Sequence, residues 1–285
     1  MALDQVDVDQ LKLGDGQDEP EKEMSFLEHL EELRWHVIRS LIAIAVIGIV
    51  LFIFNNWFFD QVIFGPRHED FISYRIFCRL ADILHLGGAL CFAPPEFIIQ
   101  TVGVGEAFIN SIKVSFIAGF VLSFPYIFYE IWRFISPGLY PKEQKAARGM
   151  VLICSLLFFT GVCFGYFIVS PFAIKFLVGY TIPGVVNSPT LVSLVNYMVM
   201  FTAPAGLIFE LPVVVYFLSK IGLVTPELMR EYRRHSIIGI LAMAAILTPP
   251  DVVTQFLIGI PLYILYEASI FISRRVQKQN EKEMA

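Results

Sequence analysis

Residues 40–59 run for twenty positions without a charged side chain. A helix of that length spans about 30 Å, the thickness of the hydrocarbon core of a bilayer. Lipid, rather than water, is the solvent such a segment suits. The pattern recurs, and spans are predicted over about 37–59, 108–133, 150–174, 191–219, 235–248 and 252–272. Between them lie a polar region with Pro66, Pro94 and Pro95, a basic loop over 134–149, and a second basic loop over 220–235. Residues 176–190 stay apolar, but Gly179, Pro183, Gly184, Asn187 and Pro189 interrupt them, which reads as a loop. Thr248-Pro249-Pro250-Asp251 stops a helix and makes a tight hairpin of the last two spans. The charge-free core of the fifth span, 236–248, reaches only about 20 Å. Flanking residues in the helix, a locally thin bilayer, or boundaries blurred at this level each account for that. Composition agrees with lipid as solvent: 16% of the residues are charged and mean hydropathy is +0.66, against roughly a quarter charged in a soluble domain. The chain reads as an all-α polytopic membrane protein with short fifth and sixth spans.

Lys and Arg set the orientation. The N-terminal region, the loop after span 2, the loop after span 4 and the tail hold sixteen of the 21 basic residues. Arg67, Arg75, Arg79, Lys113 and Lys175 lie on the other side. Both termini are therefore expected in the cytoplasm, which requires an even number of spans. Residues 1–24 carry eight acids and only Lys12 and Lys22. They lack apolar periodicity and are expected to be disordered; they have no signal-peptide pattern. Residues 273–285 are expected to form a polar cytoplasmic tail.

Several polar side chains stand out. In the segment SFLEHLEELRWHV before span 1, Phe26, Leu30, Leu33 and Val37 share one helical face, Ser25 and Glu28 fit a capping box, and Glu28, Glu31, Glu32 and Arg39 occupy the other face. An interfacial helix leading into the membrane explains this without any site. Glu143 lies among Lys142, Lys145 and Arg148, where a solvated carboxylate is the plain reading. Glu210, in span 4, and Glu267, in span 6, sit at membrane depth, where a carboxylate is costly and faces protein or water. A helix-docking site, an ion path or a structural hydrogen bond would each account for Glu210. Asp251 and Gln255 flank the tip of the last hairpin, and Asp251 suits a cap for span 6. Cys154 and Cys163 are nine residues apart in span 3, face opposite ways and read as packing residues. Cys78 and Cys91 share the outer loop; an oxidising compartment there permits a disulfide, and two free thiols are the alternative. The chain holds no HExxH, P-loop, GxSxG or metal-spaced Cys/His set. No enzyme activity, cofactor or metal is expected, and the basic residues trace topology rather than a nucleic-acid patch.

Separated motifs in order give the chain a resemblance to the TatC family over about 25–275. His29-Leu30-Glu31-Glu32-Leu33-Arg34 is similar to the family's H-L-x-E-L-R. Phe64-Gly65-Pro66 resembles the proline element after span 1, and Glu106-Ala107-Phe108 the entry to span 2. Pro125 and Trp132-Arg133-Phe134-Ile135-Ser136-Pro137-Gly138-Leu139-Tyr140-Pro141-Lys142-Glu143 are similar to W-x-F-I-x-P-G-L-Y-x-x-E. Phe209-Glu210-Leu211-Pro212 resembles F-E-x-P, and Leu247-Thr248-Pro249-Pro250-Asp251 with Gln255 resembles the turn between spans 5 and 6. The resemblance implies a concave six-helix bundle in the bacterial inner membrane that binds twin-arginine signal peptides on its cytoplasmic face. It implies Glu32 and Glu143, with Arg34 and Phe134, as recognition residues. It implies Glu210, Thr248, Asp251 and Gln255 as surfaces for single-span partners of the TatA and TatB types, oligomers within a translocase, and transport driven by the proton gradient. The outer loop over 60–106 and the acidic extension depart from the family pattern. A secondary transporter with Glu210 and Glu267 as coupling groups is the main rival, but the halves show no internal repeat. An intramembrane hydrolase would need a nucleophile and a base at depth, and the five histidines lie near edges or in loops. A scaffold without a receptor site is the remaining rival, which peptide binding would exclude.

Overall fold

The computed structural model describes residues 26–68, 70–83, 85, 91, 97–135, 147–184, 187–248 and 251–284. Its helices are α1 (Phe26–Ile53), α2 (Ile72–Ile83), α3 (Glu106–Ile135), α4 (Ala147–Phe164), α5 (Ser170–Gly179), α6 (Leu191–Phe209), α7 (Leu211–Lys220), α8 (Pro226–Glu231), α9 (Arg233–Leu247) and α10 (Val252–Met284). Five helical segments are long and apolar enough to cross a membrane: Glu31–Ile53, Glu106–Ile135, Gly149–Gly179, Leu191–Lys220 and Val252–Lys282. The fifth predicted span is α9, with 15 residues and a length of about 22 Å. It includes Arg233, Arg234 and His235 ahead of its apolar core.

The outside of the bundle is apolar. Ile49 is 60% exposed, Ile53 71% and Ile246 74%. In water such a surface would be untenable; in hydrocarbon it costs nothing, and helix association rests on close packing instead. Small residues supply that packing. A Cβ at Gly119 of α3 would lie 2.8 Å from the Ile44 carbonyl oxygen of α1, so these two backbones touch only because position 119 is glycine. At Gly165, in the wide turn between α4 and α5, a Cβ would collide with the Phe201 carbonyl of α6. Phe124 of α3 and Phe158 of α4 stack with ring centroids 3.6 Å apart. The largest buried cluster gathers Val169, Phe201, Val215, Ile240, Ile258 and Leu262 from α6, α7, α9, α10 and the turn before α5.

Three segments differ from the sequence reading. The first span is interrupted once: α1 ends at Ile53, and after Phe54 a short helix, Asn55–Phe58, and a wide turn carry the chain through Ile63. Span 4 is two helices end to end, broken at Glu210 because Pro212 has no N–H to donate and would clash with the preceding turn. Residues 273–284 are helical, so the predicted span 252–272 is only the first part of the 33-residue α10.

Beyond the end of α1, α2 adds a helix within the loop that the sequence reads as merely polar. Tyr74 donates to the Pro66 carbonyl at 2.5 Å, and burial pushes its phenol pKa up. Tyr166 donates to the Val62 carbonyl at 2.7 Å. Gln100 exchanges backbone hydrogen bonds with Pro189 and Leu191, joining the loop before α3 to the loop before α6.

Candidate functional site

The N-terminal part of α1 and the C-terminal part of α3 meet at one end of the bundle. His36 Nδ1 and Glu130 Oε2 are 2.5 Å apart. A carboxylate only accepts, so the imidazole donates from Nδ1. Arg39 stands 3.9 Å from the same oxygen, and the His36 ring meets Phe134 edge-on at 6.0 Å. Glu130 is 2% exposed. Glu32 lies one turn before His36 and is exposed, as is Arg34, whose guanidinium lies 5.9 Å from the Trp35 ring centroid. Glu143 and Ser25 fall outside the described residues. The structure thus brings Phe134 against the helix that carries Glu32 and Arg34.

Glu210 ends α6 and is 8% exposed. Its carboxyl lies against the Cys154 thiol and the Phe158 backbone, yet neither oxygen has a hydrogen bond of good geometry. A buried unsatisfied carboxylate destabilises a fold unless something outside the chain completes it. At the opposite end, Asp251 caps α10, accepting from the Thr254 N–H at 2.9 Å and the Val253 N–H at 3.3 Å. Gln255 donates to the Leu241 carbonyl at 3.3 Å, and the buried Thr248 hydroxyl donates to the Ala244 carbonyl at 2.8 Å. The turn at 251–255 is therefore polar, locally satisfied and fixed in shape; Glu210 and this turn do not touch.

Glu267 accepts from Arg233 at 2.7 Å and from Tyr263 at 3.0 Å, which makes it a tie between α9 and α10 and not a free carboxylate. Lys113 donates to Asn196. Cys78 and Cys91 are joined in a disulfide, and Cys154 is buried while Cys163 is exposed. Among the described residues no three His, Cys, Asp or Glu side chains gather as a metal site requires. An apolar recess of about 280 Å³ opens between α3, α4 and α6, lined by Ile117, Val121, Val162, Cys163, Met198 and Val199.

Residues 28–261 match the family described as Sec-independent protein translocase protein (TatC). The chain belongs to the TatC family. A TatC from Blattabacterium sp. subsp. Periplaneta americana is 39% identical over 264 residues, 90% of this chain and 97% of that one. The TatC of Desulforapulum autotrophicum is 34% identical over 92% of this chain and 89% of its own length. Two crystal structures described as the twin arginine translocase receptor TatC superpose with TM-scores of 0.62 and 0.66. Both are 33% identical to this chain; they cover 88% and 86% of it, and 100% and 99% of their own chains. This TatC is a multi-pass membrane protein and a component of the Sec-independent translocase, a transport role rather than a catalytic one.

Neither Glu130 nor His36 is singled out by the sequence alone. Both lie at the same membrane face in consecutive spans, and consecutive antiparallel helices tend to be neighbours. That signal could have paired them.

Proposed function

We propose that this TatC is the receptor of the translocase, crossing the bacterial inner membrane six times with both termini in the cytoplasm. It binds the twin-arginine signal peptides of folded precursor proteins at the cytoplasmic face. The observation that supports this reading most is the exposed Glu32 on α1, tied through His36 to the end of α3 from which the Glu143 loop departs. An incoming peptide offers two adjacent guanidinium groups. Each is a planar fork that bonds a carboxylate bidentately, whereas a lysine is a point charge. Two separated carboxylates, Glu32 and Glu143, therefore read an arginine pair and reject a lysine pair. Phe134 packs against His36, one turn from Glu32, and Arg34 helps set the local field. Glu210 and the turn carrying Thr248, Asp251 and Gln255 dock single-span subunits of the TatA and TatB types, and the proton gradient drives export. The unsatisfied carboxyl of Glu210 supports this, because a partner helix that donates a hydrogen bond completes it.

A fluorescent twin-arginine peptide titrated into protein in nanodiscs tests the receptor reading. An exposed ion pair contributes about 0–1 kcal/mol, and cutting one side of a desolvated pair costs roughly 2–5 kcal/mol. Glu143→Ala should fall between these, Glu143→Lys and Glu32→Lys should cost more through repulsion, and Glu31→Ala should be mild. Wild-type affinity in both lysine variants would place the site elsewhere.

A further inference from the structure

Helices α1 and α3 are held at two levels. In mid-bundle the contact is backbone on backbone: a Cβ at Gly48 would lie 3.3 Å from the Ser115 carbonyl oxygen, and one at Gly119 2.8 Å from the Ile44 carbonyl oxygen. Towards the end that bears Glu32, the glycines give way to Trp35, Val37 and Leu41, all about half exposed. There, among the described residues, the polar tie between the two helices is Glu130 with His36 and Arg39. Arg39 is far more exposed than His36, and its contact is long, so the 2.5 Å bond from His36 is the principal one. Glu130 is shut away from water, and leaving such a carboxylate without its partner is costly. The pair therefore holds the two helices in one register. Its placement gives that register a use. Glu32 and His36 are four residues apart and share a face of α1. Glu130 and Phe134 are four apart on α3, and Phe134 touches the same His36 ring just before the loop of Glu143.

We infer that the His36–Glu130 pair is a positioning device for arginine recognition, fixing Glu32 relative to the C-terminal end of α3 and so setting the preference for Arg over Lys. This rests on the reading of Glu32 and Glu143 proposed above. The physical reason is angular. A bidentate fork needs its carboxylate held within about half an ångström, while simple charge attraction tolerates drift. Loosening α1 from α3 therefore weakens the second bond of each fork and leaves the Coulomb attraction that a lysine pair also enjoys.

The test compares affinities for the twin-arginine peptide and its KK variant, using protein that elutes as one species in detergent. The variants are His36→Ala, Glu130→Ala, Glu130→Gln and the exchanged pair His36→Glu with Glu130→His, with Glu143→Lys alongside. His36→Ala and Glu130→Ala should weaken twin-arginine binding about tenfold, the scale of a residue that couples through packed contacts. They should weaken KK binding less, so the ratio of the two affinities falls. Glu130→Gln keeps an acceptor for the imidazole and should stay near wild type, and the exchanged pair should restore the ratio. A role in folding alone would lower the yield and leave the ratio unchanged in what folds. If Glu130→Ala does not fold, His36→Ala, which leaves Arg39 beside the carboxylate, decides the matter. An unchanged ratio in His36→Ala while Glu143→Lys abolishes binding overturns the positioning role and leaves the recognition site standing. Undiminished binding in Glu143→Lys overturns the site and this inference with it.

Discussion

The hydroxyls of Ser219 and Ser273 hydrogen-bond at 2.8 Å, both buried, where α7 ends and α10 runs on past it. From there α10 keeps one face turned inward: Ser269, Ile270, Ser273 and Val276 are buried at spacings of three and four, the period of a packed helix. Asn280 donates to the Lys220 carbonyl at 3.3 Å, satisfying one of the acceptors that the end of α7 leaves open. Val276→Asp should therefore lower stability in detergent by about 2–3 kcal/mol, while the exposed Lys278→Ala should stay within about 0.5 kcal/mol. Thermal unfolding checks this. Equal melting temperatures for the two variants would mean that the extension does not pack.

The docking role proposed for Glu210 predicts a trade of stability for assembly. Because both of its oxygens are buried and unsatisfied, Glu210→Leu should stabilise the isolated protein by about 1–3 kcal/mol. The same change should reduce cross-linking of single-span partners along α6 and α7. A variant that melts lower and still cross-links fully would contradict both halves.

The four cysteines should report separately. Cys163 is exposed on the outside of a membrane-spanning helix, where hydrocarbon keeps a thiol un-ionised and unreactive, so in native membranes an aqueous alkylating reagent should spare it until the lipid is removed. Cys154 should react only after unfolding, and Cys78 and Cys91 only after reduction. Mass spectrometry that finds Cys78 and Cys91 alkylated without reduction refutes their pairing. Impermeant labels placed in 66–100 and at Asp251 should react from outside, and a tag at either terminus should not; a tag reached from outside would reverse the orientation proposed above.

Tyr74 gives the loop that carries α2 an alkaline limit. Burial raises its pKa, so the folded state favours the neutral phenol. Its contribution is complete below about pH 10, the unfolded value, and is lost as pH climbs through the higher folded value. Tyr74→Phe should cost about 1–3 kcal/mol at neutral pH by leaving the Pro66 carbonyl unpaired, and should show a smaller further loss at high pH. Melting temperatures of the two proteins across that range give the comparison. Parallel curves would remove Tyr74 from the alkaline transition.

The apolar runs were legible because transfer into hydrocarbon depends on which residues stand in a row and on little else. Asp251 as a cap was legible for a similar reason, since the groups it satisfies are two and three residues away. The TatC motifs likewise sit within short windows. What the chain alone left open joins distant positions: His36 with Glu130, Ser219 with Ser273, Gln100 with Leu191, Cys78 with Cys91. A water-soluble helix announces its inner face by being apolar on that side only. In lipid both faces are apolar, so periodicity does not say which side of α1 meets α3. Shape decides it. Gly119 and Gly165 let backbones touch, and the polar groups of Glu130, Ser219 and Ser273 must find partners once water is gone. Sequence therefore determined which segments enter the membrane, and only the packed structure determined which of their side chains meet.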